Sequence, residues 1–566
     1  MEVANGSFVR HWSHADVFFD CNRNNSARFV FKADDDAAPT AHITLSISPT
    51  PIVFRASVRQ PSNVGLGETV TVDIDASGFK PTPNGTVVWP FVNRSQFGAF
   101  VTCAVSGRQS NCSLILPLPR AGVARVELAV FAEGRGWGGR EGAWAAGMQG
   151  ACDQAAGCVY PVGQAGPGAA ALSTTLPIIV HVAYRRIARP GGADGNEVCM
   201  DFEPWFTKLN VPRWEGRAGA SGLPLVGYYS SFHPGVMRQH AIWMTEAGIT
   251  CVNVDWSNML WSKIDWSARG PNVHELCNAT DLLLQEYSAM RAEGHDTPKV
   301  MIMIGLTNML PSALHDLASW IRQNYHQRFG LENFVQLDGR PVLPVLYLGN
   351  FKPFSVPWPT PEVTQEISAN GSFAVRYMGV SLDRNESLGL VSGFWSWMDS
   401  TLSPIPAMRD GVVEALTVAP AFFKSGETGG WLGAGAVPQR QGQTLAAEMQ
   451  RALQLRPKVL LVMQWNEWAG ARDGSKNAFT DDYNLSLSNE IEPVSLTECG
   501  GYVHHDDAGQ LPVCDTGYGF RNLNILKSAL RNWSVSVSIT RLEAAMLRRW
   551  MPRTAETTWW SWLVSE

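Results

Sequence analysis

The segment VLLVMQWNEWAGARDG, residues 459–474, decides the fold expected for this chain. It begins with an apolar run at 459–463 and then changes abruptly to the polar and aromatic run QWNEW at 464–468. A short continuous apolar run is typical of a parallel strand that is buried on both faces. The change at Gln464 therefore indicates a buried strand whose C-terminal end delivers polar groups, with Glu467 between two tryptophans.

Seven further segments resemble this one and mostly alternate with helical patterns. The predicted strands are 223–229, 250–256, 300–306, 342–348, 374–380, 393–397 and 415–423. The predicted helices are 236–247, 273–292, 312–328, 444–455 and a closing helix at 521–533. Eight buried strands with intervening helices predict an α/β fold, a (β/α)8 TIM barrel.

The region before the barrel has a β character. Stretches such as ETVTVDIDAS and VARVELAVF alternate apolar and polar residues and are separated by Pro, Gly and Asn turns. This pattern predicts an N-terminal antiparallel β-sandwich of immunoglobulin or fibronectin type. The expected organisation is an irregular segment at 1–48, the sandwich at 49–182, a connection at 183–222, the barrel at 223–535 and a tail at 536–566.

Composition excludes several classes of function. Of the 566 residues, 45% are hydrophobic and 17% are charged, which describes a globular protein with a large core. The net charge is −6 and no long basic run occurs, so we expect no nucleic-acid partner. No apolar run reaches the ~18 residues of a transmembrane helix. We therefore expect no transmembrane segment, and we expect a monomer.

Two features favour export. Sequons of the form Asn-X-Ser/Thr occur at Asn5, Asn24, Asn84, Asn93, Asn111, Asn278, Asn370, Asn385, Asn484 and Asn532. The chain has ten cysteines, an even number, and the neighbours Cys103 with Cys112, Cys152 with Cys158, and Cys499 with Cys514 suit local disulfides. Cys251 lies inside a predicted strand and is expected to be a buried thiol. The expected location is extracellular or in the secretory-pathway lumen, reached by a signal peptide that is not part of this sequence.

Polar and aromatic side chains are concentrated at the predicted strand ends. Barrel enzymes place their chemistry there, aromatic rings stack on sugar faces, and polar side chains bind hydroxyl groups. This pattern predicts a polysaccharide or glycan as substrate. The expected substrate-binding residues are Tyr228, Tyr229, His233, Trp256, Asn258, Asn308, Asp383, Trp397, Asp399, Trp431, Trp465, Asn466 and Trp468. Structural roles stay open for several of them, because His233 can cap a turn and Asp399 can cap a helix.

Hydrolysis of a glycosidic bond usually needs two carboxyl groups that flank the anomeric carbon. Glu467 is the first candidate. The candidates for the second are Asp255, Asp383, Asp399, Glu490 and Glu492. This chemistry needs no cofactor and no metal. An oxygen-rich structural Ca²⁺ site stays open as an alternative, and its ligands would be Asp481, Asp482, Asn484 and Glu490.

Three segments resemble the glycoside hydrolase family 71/99-like proteins, which include endo-α-mannosidases. They are GYYSSFHPGVMRQHAIWMTEAGITCVNVDWSN at 227–258, QWNEWAG at 464–470 and TDDYNLSLSNEIEPV at 480–494. The resemblance covers about 220–535 and leaves the first 180 residues outside it. It implies a barrel glycosidase in which Glu467 matches a catalytic glutamate of strand 8.

The family pattern has a second glutamate three residues later, where this chain has Gly470. In the endo-α-mannosidases, the first glutamate deprotonates a sugar hydroxyl to form an epoxide-like intermediate, and the second is the general acid/base. That mechanism cannot be transferred whole, so we expect the acid to be Asp255 or Glu492. The leading expectation is a secreted glycoside hydrolase. The alternatives are a carbohydrate-binding pseudoenzyme and a glycosyltransferase, and the latter is disfavoured because no phosphate-binding Gly-rich loop is evident.

Overall fold

The structure is a computed structural model that describes the backbone in separate stretches of the chain. These are residues 26–31, 41–46, 53–58, 63–67, 69–77, 86–92, 95–96, 101–103, 105–106, 109–132, 152–153, 157–158, 170–173, 178–190, 196–206, 224–226, 229–257, 271–305, 311–346, 361–378, 393–423, 433–468, 482–494, 519–531 and 533. The predicted tail at 536–566 lies outside these residues.

The N-terminal part forms β-strands, as its alternating pattern predicts. The strands are β1 Ser26–Phe31, β2 Ala41–Ser46, β3 Val53–Val58, β4 Asn63–Gly65, β5 Thr69–Ser77, β6 Thr86–Val92, β7 Ser95–Gln96, β8 Val101–Cys103, β9 Val105–Ser106, β10 Gln109–Pro117, β11 Gly122–Ala132, β12 Cys152–Asp153, β13 Gly157–Cys158, β14 Ala170–Ser173 and β15 Ile178–Ala183. One sheet has the order β3-β5-β10-β9 and another has β4-β15-β11-β6-β7. The pairing is antiparallel except between β15 and β4. A face-to-face sandwich of these sheets stays a prediction.

The second part contains a parallel sheet. Its strands and their short neighbours are β16 Glu197–Phe202, β17 Cys251–Trp256, β18 Lys299–Gly305, β19 Gln336–Leu337, β20 Arg340–Leu346, β21 Ala374–Met378, β22 Ala407–Arg409, β23 Val412–Val418, β24 Val459–Val462, β25 Asp482–Asn484 and β26 Leu487–Ser488. The parallel order is β21-β20-β18-β17-β16-β24-β23. Of the strands in this parallel order, β16 comes first in the sequence and β24 comes last, and the two lie side by side.

Helices connect most of these strands. They are α1 Pro234–Ala247, α2 Pro271–Ala292, α3 Pro311–Ile321, a π-turn Arg322–His326, α4 Gln327–Phe329, a 3-10 turn Leu331–Asn333, α5 Pro361–Ile367, a 3-10 turn Arg440–Gly442 and α6 Gln443–Leu455. A further helix runs over 521–531. In the described part of the chain, no helix is both long and apolar enough to cross a membrane.

Residues 393–396 lie between β21 and β23. The Tyr377 N–H donates to the Gly393 carbonyl at 2.7 Å, and the Tyr377 carbonyl accepts from the Trp395 N–H at 2.8 Å. On the other side, Thr417 Oγ1 donates to the Ser396 carbonyl at 2.5 Å. The predicted sixth strand is thus reduced to a bridge at Phe394. This segment curls the sheet so that its two edges approach, a mixed α/β arrangement compatible with a TIM barrel.

A buried ion pair also joins the two edges. Arg376 on β21 donates two hydrogen bonds to Glu414 on β23, at 2.8 and 2.7 Å. Trp395 Nε1 donates to the same carboxylate at 2.9 Å. Burial by itself raises the pKa of Glu414, but the hydrogen bonds and charge of Arg376 outweigh it and hold the pKa below its ordinary value.

The structure corrects the position of the first strand. The predicted strand at 223–229 is wrong, because the parallel sheet begins instead at β16, inside the predicted connection. Pro224 makes only an isolated antiparallel bridge, to Val494. β16 reads EVCMDF, in which Cys199 and Asp201 share one face, so the continuous apolar run that marks its neighbours is missing.

β16 and β17 are held together by paired side chains on one face. The backbone register pairs Cys199 with Cys251 and Asp201 with Asn253. Cys199 and Cys251 form a disulfide, so the expectation of a free buried thiol at Cys251 is wrong. The described free cysteine is Cys277, which is buried on α2. The side chains of the predicted local disulfides lie outside the described residues, although β12 and β13 set Cys152 opposite Cys158 in register.

Candidate active site

Three carboxyl groups meet at the C-terminal ends of β16 and β17. Asp201, Glu203 and Asp255 are all buried, and one oxygen of each lies within 4.8 Å of the others. Asp201 and Glu203 are two residues apart on an extended chain, so they point to the same face. The group therefore continues the series of paired side chains that begins at the disulfide.

The three carboxyl groups have different surroundings. Asp201 accepts a hydrogen bond from Asn253 Nδ2 at 2.6 Å and another from Trp397 Nε1 at 3.3 Å. Asp255 is 7% exposed. Burial raises the pKa of Asp255 above its ordinary value, although hydrogen bonds with Ser257 and Glu203 act in the opposite direction. Asp201 thus accepts two hydrogen bonds, whereas Asp255 keeps its proton to a higher pH than an exposed aspartate does.

Glu467 lies in the segment that follows β24, the strand next to β16. Glu467 is 7% exposed, and its carboxylate accepts a hydrogen bond from Gln464 Nε2 at 2.7 Å. The Trp465 N–H donates to the Asp201 carbonyl at 2.8 Å, which extends the pairing of the two strands to their tips. Asn466 then holds the Glu203 peptide, accepting from its N–H at 2.8 Å and donating to its carbonyl at 3.0 Å.

Glu492, the other carboxyl group predicted to be catalytic, is fully buried. Its Oε2 accepts from Trp468 Nε1 at 2.6 Å and from the Tyr229 hydroxyl at 3.1 Å. Its Oε1 lies 2.8 Å from His240 Nε2. Glu492 therefore holds Tyr229 and Trp468 in place, and the Tyr229 hydroxyl in turn accepts a hydrogen bond from Asn466.

The predicted aromatic residues lie in different places. Trp397 is half-buried and contacts Asp201. Trp465 and Trp468 are fully buried in the core. Trp256 donates to Thr280 Oγ1 at 3.1 Å and packs on Trp320, so its ring faces the helices and is not brought to the carboxyl groups.

Of two further predicted residues, Asp399 stabilises a local turn and His233 lies at the start of α1. Asp399 is buried and accepts hydrogen bonds from Ser396 Oγ and from the Ile405 N–H, the latter at 2.9 Å. His233 is half-buried and occupies the N-cap position of α1, where its side chain makes no capping hydrogen bond. The predicted residues Tyr228, Asn258, Asn308, Asp383 and Trp431, as well as Gly470, lie outside the described residues.

Sequence reasoning missed Asp201, Glu203 and Asn253. A signal for them is present, because β16 and the residues after it read Cys199-X-Asp201-X-Glu203 while β17 reads Cys251-X-Asn253-X-Asp255. Both strands repeat a cysteine and two polar residues with a period of two, which is the spacing of one face of a strand.

The same three carboxyl groups are the described residues best placed to hold a cation. Oxygen ligands suit Ca²⁺ or Mg²⁺, but Asn253 and Trp397 already donate hydrogen bonds to Asp201. Of the alternative Ca²⁺ ligands, Asp481 and the side chains of Asp482 and Asn484 lie outside the described residues. Glu490 is buried and accepts a hydrogen bond from Ser488 Oγ.

No protein-family model matches the chain, and no curated protein matches it. Two solved structures of the GH99 endo-alpha-mannosidase from Bacteroides thetaiotaomicron are similar, one of them in complex with BIS-TRIS-Propane. Each is 16% identical and has a TM-score of 0.40, with 61% and 60% of this chain and 98% of the other chain covered. These values are compatible with at most a distant relationship in fold.

Proposed function

We propose that this protein is a glycoside hydrolase that cleaves O-glycosidic bonds with carboxyl groups at the mouth of a (β/α)8 barrel. The observation that supports it most is the meeting of Asp201, Glu203 and Asp255 at the ends of adjacent parallel strands, with Glu467 on the next strand. Barrel enzymes place their catalytic groups at this edge. Paired carboxyl groups in unequal surroundings are what glycoside hydrolysis requires.

Asp255 is the proposed general acid. Since burial raises the pKa of Asp255, it can hold a proton at a pH at which an exposed carboxyl group has lost it. That proton would pass to the glycosidic oxygen as its bond to the anomeric carbon breaks.

Glu467 is the proposed second carboxylate. The hydrogen bond from Gln464 stabilises its ionised form. It would either attack the anomeric carbon or take a proton from the water that attacks it. No cofactor takes part in either route.

A second candidate function is carbohydrate binding without hydrolysis. Gly470 stands where the resembling family has its second glutamate, so a pair of acids on strand 8 is missing. This alternative predicts glycan binding in calorimetry and no product after long incubation. A glycosyltransferase would instead bind a sugar nucleotide.

The decisive experiment measures sugar release from a panel of α- and β-linked glycans. We expect the wild type to hydrolyse at least one of them, and Asp255→Asn and Glu467→Gln each to lose about 100-fold or more in rate while keeping the wild-type melting temperature. The matched controls Asp410→Asn and Glu332→Gln change exposed carboxyl groups and should retain full activity. Unchanged turnover in both site variants would contradict the proposed roles.

We also propose that the protein passes through the secretory pathway. The disulfide between Cys199 and Cys251 suits an oxidising compartment. The sequon at Asn370 lies on a turn after α5 with an exposed side chain, where a glycan could be added. Expression in a secreting eukaryotic cell should give a product whose mass falls after enzymatic deglycosylation, and Asn370→Gln should carry one glycan fewer. Light scattering of that product would test the expected monomer.

A further inference from the structure

The side chain of Gln464 makes its hydrogen bond to one of the proposed catalytic groups. Gln464 is fully buried, and its Nε2 donates to Glu467 Oε2 at 2.7 Å. Within the part of the chain that the structure describes, no other group donates to the Glu467 carboxylate. Oε2 is therefore occupied by the amide, and Oε1 is the oxygen that stays available to a substrate.

The backbone on either side of this amide is fixed by its neighbours. The Gln464 N–H donates to the Asn489 carbonyl at 2.8 Å, and the Gln464 carbonyl accepts from the Ile491 N–H at 2.8 Å. The next residue, Trp465, donates from its N–H to the Asp201 carbonyl at 2.8 Å. Since the segment is held by 489–491 and by β16, the Gln464 side chain starts from a fixed point.

Glu467 determines the orientation of the Gln464 amide. The amide nitrogen only donates and the amide oxygen only accepts. A flipped amide would set its oxygen against Glu467 Oε2, and two acceptors facing each other are costly in a buried site. Gln464 Oε1 has no hydrogen-bond partner among the described residues. The contact with Glu467 is thus what the side-chain amide contributes.

The same hydrogen bond fixes the plane of the Glu467 carboxylate. Rotation about the last bond of a glutamate side chain has only a broad preference, so an unsupported carboxylate can turn. A hydrogen bond to an ionised acceptor is among the stronger ones. When it holds Oε2, it also sets the place of Oε1. A displacement of about 1 Å at a reacting group can cost about 100-fold in rate.

We propose that Gln464 is a positioning residue for Glu467, which holds Oε2 and leaves Oε1 as the oxygen that reacts. The inference rests on the proposed function, because it concerns the second carboxylate of that reaction. It assigns different tasks to the two oxygens of Glu467. Loss of the amide should therefore act on the chemical step and leave substrate binding almost unchanged.

The test replaces the amide by an apolar side chain of similar length. Gln464→Met removes the donor. The matched control is Gln239→Met, because Gln239 is also fully buried, donates from Nε2 to the Gly67 carbonyl at 3.3 Å and has no partner for its Oε1 among the described residues. We expect Gln464→Met to lower kcat about 10- to 100-fold with KM within about twofold, and the control to keep both. An equal kcat in the two variants would overturn the proposal.

A double variant distinguishes positioning from a general loss of structure. If Gln464 acts through Glu467, Gln464→Met should add little once Glu467 has been changed. The residual rate of Gln464→Met/Glu467→Gln should then lie within about twofold of that of Glu467→Gln alone. Rate losses that multiply in the double variant would show that Gln464 acts independently of Glu467, against the proposal.

Crystal structures of the wild type and the two methionine variants give a readout that does not depend on turnover. A Glu467 side chain that leaves its wild-type conformer in Gln464→Met but keeps it in Gln239→Met supports the positioning role even if no glycan is cleaved, in which case the proposed function alone fails. An unmoved Glu467 in Gln464→Met overturns the positioning role, and glycan cleavage would then leave the proposed function standing. Gln464→Asn, whose amide is one carbon shorter, is the replacement variant if Gln464→Met does not fold, and the same displacement is expected.

Discussion

Removal of the disulfide between Cys199 and Cys251 should destabilise the protein strongly, because this bond joins the two strands that carry Asp201, Glu203 and Asp255. The two cysteines are 52 residues apart. In the chain-entropy description, closure of a loop of that length in the unfolded chain contributes about 4 kcal/mol at 25 °C. The double variant Cys199→Ala/Cys251→Ala should lose roughly this amount. Its proposed glycosidase activity should fall as well, since the pairing of Asp201 with Asn253 follows directly along the strands.

The assay is equilibrium unfolding in guanidinium chloride, followed by tryptophan fluorescence with and without a thiol-free reductant. Cys277→Ala is the matched control, because it removes a buried sulfur that forms no disulfide, and it should cost about 1 kcal/mol. Reductant should lower the midpoint of the wild type by more than that of the double variant, because only the wild type has the bond between Cys199 and Cys251 to lose. A double variant as stable as Cys277→Ala, with a wild type insensitive to reductant, would refute the reasoning.

Two ionisable groups give further predictions. Burial raises the pKa of Glu448 well above its ordinary value of 4.5, so the wild type is most stable below pH 4.5 and loses stability as the pH rises toward the pKa of the folded state. In that pH range, Glu448→Gln should gain about 1.4 kcal/mol of stability relative to the wild type per pH unit. The control Glu332→Gln, at an exposed residue, should show no such gain when melting temperatures are compared across pH. The pKa of Glu414 is lowered, so its stabilisation is present above the ordinary value and is lost as pH falls through the folded one. Arg376→Met should therefore cost about 3–5 kcal/mol at neutral pH and less in acid, and Arg328→Met, at an exposed ion pair, about 1 kcal/mol or less, both measured by denaturant unfolding.

Apolar strands were the part of the fold that the sequence could predict. The predictions at 300–306 and 342–348 lie close to β18 Lys299–Gly305 and β20 Arg340–Leu346. β24 Val459–Val462 falls inside the opening segment. Each is buried on both faces, so its sequence is an apolar run that needs no knowledge of its neighbours.

β16 could not be found in this way, because one of its faces carries Cys199 and Asp201. Its stability depends on partners on β17, which are remote in sequence and become visible only when the two strands are paired. The predicted residues Asp255 and Glu467 could be found because each lies near the C-terminal end of a strand that the sequence predicted. Asp201 lies in β16 and Glu203 directly follows it, and the sequence of that strand has no continuous apolar run.

The contacts of Glu492 show a second limit of sequence reasoning. Glu492 and Tyr229 are separated by 263 residues, and both were assigned to the site from the chemistry of their side chains. A glutamate can donate a proton to a substrate or hold a buried tyrosine in place, and a tyrosine can bind a sugar or connect two buried polar side chains. Only burial and the direction of the hydrogen bonds distinguish these roles.

The placement of the site follows from the central position of β16 in the parallel sheet. β16 lies between β17 and β24, so the strand that carries Asp201 has the strand of Asp255 on one side and the strand that leads to Glu467 on the other. The disulfide fixes the first of these junctions and the Asn466 clamp on the Glu203 peptide fixes the second. A substitution that weakens either junction should thus displace the same group of carboxyl groups, Asp201, Glu203 and Asp255, although the two junctions share no side chain.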